Sequence, residues 1–535
     1  MSAGLGTVPA EQTYLDMGQG NRVFDSLYDS ELSPAPVPLN RPVRDAAIRE
    51  RAESAPADVE PGLLAETLQG AGEGLVVRGA VVSQLPELVA GLRGEELLIA
   101  IERPPPAENR ALAVGIAGAG YDGNLTSDST RLDGYVLSTD LAPTILRHYG
   151  IPTPSQMSGQ PIRAEGEVDP EAVTALGDRM AVISDRRGPV IGLSLLAWVL
   201  VLGVAIAVTR GAAARVGVRV AGLAVVYLPL TLLAGAAAEP GEAVEMLLAM
   251  LGAPALAAVT LALIGGYRAL AVASALTVAA YAIDVVAGSP LTALSLLGPN
   301  PGLGVRFYGI GNELEALLAV LIVAGTGAGL TGFGPRLSPR ACAVAFLAIG
   351  FAAAVVFAAG RFGADVGAAI VFPLGAAVAA AAVAARRRRS ALLVVALPFA
   401  ALALLALGDL VSGANAHLTR SVLDAGGLGG LADVAQRRLQ LSAHSFSRPI
   451  VFVFLPLIAA LAALAVARRD RLRAWLAGRP AMRAGLIGAV AATVVGTLAN
   501  DSGALLLEIG AAYLLVFVGF AWAEASAKPS AQTKR

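Results

Sequence analysis

The sequence predicts a small α/β soluble N-terminal domain followed by an all-α polytopic membrane domain of about eleven transmembrane helices. Two observations carry this. The 535 residues are 56% hydrophobic, with a mean hydropathy of +0.66 and only 15% charged residues. From Gly188 onward, apolar runs of about 20 residues recur, each long enough at 1.5 Å per residue to cross a hydrocarbon core of about 30 Å. The expected organisation is residues 1–187 as the soluble part, 188–525 as the membrane domain, and 526–535 as a cytoplasmic tail.

The N-terminal part is read from its punctuation. Residues 31–60 are rich in Pro, Ala and charge and read as a surface segment. Leu63–Gln69 has helical spacing, and Gly70 is placed to end it. Leu97–Ile101 and Ala111–Ile116 are short strands by their apolar, β-branched runs. A turn at Tyr135–Leu137 leads into a helix. Ser138, Thr139 and Asp140 offer N-caps, Pro143 suits the first turn, and Gly150 with Pro152 closes the helix after Ile145–Tyr149. Strand–helix alternation suggests α/β packing.

The spans predicted are 189–209, 219–237, 243–265, 268–287, 313–333, 341–359, 364–385, 390–411, 450–467, 482–499 and 503–523. Alternate connections carry the arginines, among them Arg210, Arg215 and Arg219, then Arg268, then Arg336 and Arg340, then the run Arg386–Arg389, then Arg468–Arg483. By the positive-inside rule this set is cytoplasmic, so the N-terminal domain is outside and the C-terminus inside, in a bacterial plasma membrane. Arg386–Arg389 reads as a topology anchor. No apolar signal segment occupies Met1–Ala10, so export of the N-terminal domain implies a start upstream of Met1. The net charge of −1 points to no nucleic-acid partner, and one cysteine, Cys342, allows no disulfide framework and no cysteine metal site.

A resemblance enters with the segment Gly134-Tyr-Val-Leu-Ser-Thr-Asp-Leu-Ala-Pro-Thr-Ile-Leu-Arg-His-Tyr-Gly-Ile-Pro and the following Met157-Ser-Gly-Gln-Pro. These resemble the C-terminal part of the alkaline phosphatase superfamily. Leu125–Gly134, Tyr14–Gly20, Arg306–Glu313 and Asn500–Gly503 resemble bacterial membrane proteins that join such a domain to a multi-span module. The superfamily implies phosphoryl or sulfuryl transfer with a Ser/Thr nucleophile and two metals held by Asp and His. This chain departs from that pattern. Its three histidines are His148, His417 and His444, so none precedes the motif. The resemblance therefore implies a degenerate, truncated, non-catalytic domain, with Asp140 a helix cap, no cofactor, and no divalent metal.

Ionisable groups inside spans are costly and point to function. Asp365, Asp501 and Glu508 are the candidate catalytic residues. Arg306, Tyr308, Asn312, Glu313, Arg361, Asn500 and Asp284 are the candidate substrate-binding residues. Asp409, Asn415, Arg437, Arg438 and Arg448 fall on the same expected face. Arginines beside carboxylates suit an anionic head group. Local readings stand beside these: Asn312 and Glu315 fit a capping box, Asp501 and Ser502 fit a helix start, and Arg361 and Asp365 are spaced to pair. No cap explains Glu508 or Asp284. The expected function is binding or processing of a lipid-linked phosphate or glycan at the outer face. A transporter or flippase and a non-enzymatic scaffold are the alternatives, and membrane lipids are the expected partners.

The charge asymmetry makes a direct prediction. In a Cys342→Ala background, single cysteines in the Arg386–Arg389 and Arg468–Arg483 loops should resist a membrane-impermeant maleimide in intact cells, and one near Asn300 should react. The opposite pattern would reverse the topology.

Overall fold

The computed structural model describes residues 1–23, 28, 41–55, 57–104, 111–118, 120–208, 211–384, 400, 404 and 439–525. The chain divides into two compact units. The first is Met1–Ser184 with Pro299–Tyr308, and the second is Asp185–Gly298 with Gly309–Arg535. The span expected at 390–411 (apart from residues 400 and 404), the Arg386–Arg389 run, Asp409, Asn415, His417, Arg437, Arg438 and the tail lie outside the described residues.

The first unit contains α1 (Ala10–Gln19), α2 (Arg41–Glu53), α3 (Leu63–Gly70), α4 (Leu85–Ala90), β1 (Leu98–Ile101), β2 (Val114–Ala117), β3 (Asn124–Thr126), α5 (Leu141–His148) and β4 (Arg163–Glu165). The two expected strands exist and pair antiparallel, Leu98 opposite Ala117 and Ile101 opposite Val114. β3 and β4 form a second two-stranded ladder. Among the described residues the chain is mostly helical, and no larger sheet joins these helices into an α/β layer. Around Tyr135–Leu137 only single bridges form, Ser2 with Leu137 and Leu132 with Tyr135.

Asp140 caps by accepting from Leu137 N–H ahead of the Ser138–Asp140 turn that leads into α5, and it does more than the expected cap. Its side chain does not bond the first turn of α5. Fully buried, it accepts four hydrogen bonds, from Ser127 Oγ and Ser129 Oγ at 2.6 Å each, and from the backbone N–H groups of Leu137 and Gln160 at 2.9 Å each. It ties the loop after β3 to both sides of α5. Donors from four separate positions satisfy a carboxylate that burial would otherwise make costly.

The second unit holds the long apolar helices. These are α6 (Pro170–Val208, begun in the first unit), α7 (Ala212–Ala238), α8 and α9 (Glu242–Leu247 and Ala253–Leu263, joined through a π-turn), α10 (Gly266–Val286), the short α11 (Pro290–Leu294), α12 (Asn312–Gly332), α13 (Pro339–Ala358), α14 (Val366–Ala384), α15 (Val451–Ala467), α16 (Arg469–Trp475), α17 (Pro480–Ala499) and α18 (Gly503–Ala525). Among the described residues nine helices are long and apolar enough to cross a membrane, or ten if the bent pair α15–α16 counts as one span. The chain is a multi-pass membrane protein.

α12 is the central helix. It packs against α10, α13, α14, α17 and α18, and every residue from Leu314 to Gly325 is buried. Small residues make this possible, since helices in lipid associate through close packing rather than water exclusion. A Cβ on Gly327 would strike the Ala481 carbonyl at 2.8 Å and approach Gly485 Cα at 3.2 Å, and one on Gly375 would meet the Gly488 carbonyl at 3.1 Å. Starts are set locally. Ser338 Oγ accepts from Ala341 N–H at 3.2 Å, with Pro339 in the first turn of α13.

Proline inside α7 shows how polar backbone is settled in this unit. Pro229 has no N–H, so the Val225 carbonyl one turn earlier loses its helical donor. Tyr513 of α18 donates its hydroxyl to that carbonyl at 3.1 Å, and Tyr281 of α10 donates to the Pro229 carbonyl at 2.9 Å. Two of the buried tyrosines thus satisfy backbone that has no water to turn to.

Candidate functional site

The second unit gathers polar side chains where α12, α14 and α18 begin and α17 ends. Glu315, in the first turn of α12, is fully buried. Its carboxylate accepts from the Asn500 side-chain amide at 2.7 Å. The Asn500 side-chain Oδ1 accepts from Ser502 N–H at 3.2 Å, which shapes the turn between α17 and α18. Asn312 donates to Asp501 at 3.0 Å. Gly367, in the first turn of α14, lies so close to Glu315 that a Cβ there would collide with both carboxylate oxygens.

The capping box expected at Asn312 and Glu315 does not form. Both side chains reach across to the α17–α18 turn, and the first turn of α12 gains only the favourable charge of Glu313 and Glu315 at its N-terminus. Asp365 is buried and caps α14, accepting from Ala368 N–H at 3.0 Å. The loop before α14 is stitched to the strand of chain before α12, with Ile310 N–H donating to the Gly363 carbonyl at 3.2 Å. Gly309, at φ 75°, has no room for a side chain beside Gly363.

Asp284 does have a capping role, contrary to expectation. Its carboxylate accepts from Leu291 N–H at 3.1 Å and Thr292 N–H at 2.7 Å, holding the start of α11. Arg361 is exposed, its guanidinium 5.0 Å from the Phe362 ring centroid. Glu313 pairs with Arg187 at 3.4 Å, and Arg187 also donates to the Gly298 carbonyl at 2.6 Å. Arg306 and Tyr308 belong to the first unit, where the Arg131 guanidinium lies 3.8 Å from the Tyr308 ring centroid. The polar group of the second unit is thus made of Asn312, Glu315, Asp365, Asn500 and Asp501.

Glu508 stands apart from these pairings. It is half-buried in α18, and its Oε1 has no hydrogen-bond partner. The positive charge of Arg448 acts on it. Beside it the segment before α15 closes over the start of α18. Ser442 Oγ donates to the Thr497 carbonyl at 2.7 Å, and Ser445 Oγ accepts from Ala504 N–H at 3.0 Å. Sequence reasoning missed these serines and also Arg186, which pairs with the buried Glu245 at 3.1 Å. No local pattern marks any of them. Among the described residues no group of three or more His, Cys, Asp or Glu is placed to hold a metal ion.

Chemically, the arrangement offers carboxylate acceptors and amide donors side by side, a donor–acceptor mixture that suits hydroxyl groups. Asp501, which is exposed, and Glu508, with a buried oxygen that has no hydrogen-bond partner, retain capacity to accept.

The first unit hides a second polar group. Asp16 of α1 is fully buried and accepts from Gln12 at 2.7 Å and Gln19 at 3.1 Å, while its Oδ2 has no partner. Arg51 donates to Gln12 at 2.6 Å and lies over the Tyr28 ring. Burial pushes the Asp16 carboxyl up from 3.8 to about 8, the amides and the Arg22 and Arg51 charges opposing it only in part.

That shift predicts a pH dependence. The folded state holds the Asp16 proton more tightly than the unfolded chain, so its stabilising effect is complete below about pH 4 and is lost as pH rises toward about 8. The slope is at most about 1.4 kcal/mol per pH unit. Urea-pulsed proteolysis of the full-length protein, read on fragments of residues 1–184, should show the first unit weakening over this window. Asp16→Asn should flatten the slope, and an unchanged slope in that variant would refute the assignment.

No family model, curated protein or solved structure matches this chain. Its chemistry therefore rests on the residues themselves.

Proposed function

We propose that this chain is a bacterial cell-envelope membrane protein that binds or processes a lipid-linked glycan, or its phosphate, at the outer face of the plasma membrane. The observation that carries the reading is the polar cluster at one end of the second unit, where Glu315–Asn500 and Asn312–Asp501 pairs stand among apolar helices. Carboxylates and amides recognise sugar hydroxyls by accepting and donating at fixed positions. An intramembrane carboxylate is retained against its cost where it has a task. Asp501 and Glu508 are the residues assigned to substrate, with Asp365, Glu315 and Asn500 positioning them. Arg361 is assigned to the phosphate, which guanidinium pairs bidentately. The N-terminal part is an accessory domain without catalysis, a degenerate relative of the alkaline phosphatase superfamily.

Glu508 supports a second reading. A half-buried carboxylate with an unpartnered oxygen also suits proton coupling in a transporter or flippase.

Native mass spectrometry of the full-length protein, extracted with its surrounding lipid and then stripped and hydrolysed, tests the proposal. A polyprenyl-linked sugar should be retained, and Asp501→Asn with Glu508→Gln should lower its occupancy roughly ten-fold, as expected for lost charge-assisted hydrogen bonds. Retention of bulk phospholipid alone would overturn it. Proton-coupled flux in proteoliposomes, abolished by Glu508→Gln, would favour the transporter.

A further inference from the structure

The end of the second unit opposite Glu315 is built from arginines. α12 and α17 run antiparallel, since Glu315 near the start of α12 bonds Asn500 after the end of α17, while Gly327 near the end of α12 meets Ala481 at the start of α17. At this second end Arg219 pairs with Glu524 at 2.9 Å, and Arg268 donates to the Gly332 carbonyl at 2.9 Å. Arg479 donates to the Trp475 carbonyl at 2.7 Å and the Glu524 carbonyl at 3.4 Å, and lies 5.1 Å from the Tyr267 ring centroid. These arginines are committed to holding helices together.

α16 carries arginines that are not. The chain bends by 74° between α15 and α16, where a 17-residue apolar helix gives way to a short basic one. α16 packs against α18, Leu472 and Trp475 are half-buried, and Leu476 rests on the core of the bundle. Arg479, through the Trp475 carbonyl, fixes its end. Arg468, Arg469, Arg471 and Arg473 are all exposed. Arg473 pairs with Asp470 at 3.1 Å. Among the described residues the side chains of Arg468, Arg469 and Arg471 make no ion pair and no hydrogen bond. At 100° per residue, Arg469 and Arg473 flank the apolar strip of Leu472, Trp475 and Leu476 on one side, and Arg471 flanks it on the other.

We propose that α16 is a binding platform for the phosphate of an anionic phospholipid head group. A basic cluster directly beyond a spanning helix attracts anionic lipid, and tryptophan sits at the level of the head groups. Guanidinium pairs phosphate oxygens in a fork that lysine does not offer. A topology anchor needs only charge on a flexible loop. Here the charge is carried by a folded, bent and pinned element, which pre-organises three unpaired guanidinium groups around one apolar strip and lowers the cost of ordering them on binding.

The test compares the full-length protein in nanodiscs of phosphatidylcholine with nanodiscs that also contain phosphatidylglycerol. Phosphatidylglycerol should raise the melting temperature and remain bound in native mass spectrometry. The triple variant Arg468→Gln, Arg469→Gln, Arg471→Gln should bind it on the order of 100-fold more weakly, from about 1 kcal/mol per arginine. Its melting temperature in pure phosphatidylcholine should match the unaltered protein. Lysine at the three positions should restore part of the effect, which separates lost binding from misfolding. Arg336→Gln with Arg340→Gln should leave it unchanged. An equal phosphatidylglycerol shift in the triple variant would overturn the site. So would an equal shift when soluble glycerol 1-phosphate is added to phosphatidylcholine nanodiscs, because the ligand would then be a free anion.

Discussion

The burial of one carboxylate against a central helix constrains the membrane unit more than any other contact. Glu315 lies in the first turn of α12, the helix that five others surround. An ion there has no water to turn to, and leaving it unpaired would cost several kcal/mol. Asn500 supplies the donor at 2.7 Å. Gly367 leaves the space that the carboxylate occupies. The position of the α17–α18 turn, the start of α14 and the depth of α12 are thus fixed by one another. The close glycine contacts farther along α12 and between α14 and α17 continue the same arrangement, since helices in lipid gain from contact and not from excluding water.

The two ends of this unit differ in chemistry for the same reason. Where Glu315 sits, acids and amides pair through hydrogen bonds and leave Asp501 and Glu508 with capacity to accept more. At the other end, guanidinium groups bridge carbonyls and the acid Glu524. Between them, the backbone carbonyls near Pro229 are met by tyrosine hydroxyls from neighbouring helices. Polar chemistry is thus concentrated at the ends, with the middle of the unit reserved for small-residue packing.

The sequence announced the spans because a bilayer imposes length and apolarity, two properties that a single segment carries by itself. The described helices Asn312–Gly332, Pro480–Ala499 and Gly503–Ala525 lie within a few residues of the expected 313–333, 482–499 and 503–523. The strands β1 and β2 and the helix α3 were legible for a similar reason, through local runs, although Gly70, expected to end α3, lies inside it and Ala71 is the C-cap. The misreadings all concern partners that local spacing does not reveal. Glu315 fits a capping box by spacing, yet its donor lies 185 residues away. Asp284 looked unexplained because the amides it caps follow a turn and begin a helix too short to show a period. Asp140 looked like a cap alone because it precedes a helix, yet its carboxylate also gathers donors from Ser127 to Gln160. The segment 299–308 gave no sign that it belongs with the N-terminal unit, since nothing local distinguishes a loop between spans from one that packs elsewhere.

The central claim is that Glu315 and Asn500 form one energetic unit. A double-mutant cycle of Glu315→Ala and Asn500→Ala, read by reversible unfolding of the full-length protein in a fixed lipid or detergent, measures it directly. A coupling of at least about 1.5 kcal/mol is expected, because each single change removes this bond while the other member stays buried. Additivity within about 0.5 kcal/mol would show that the two side chains are neighbours without being partners, and would contradict the account.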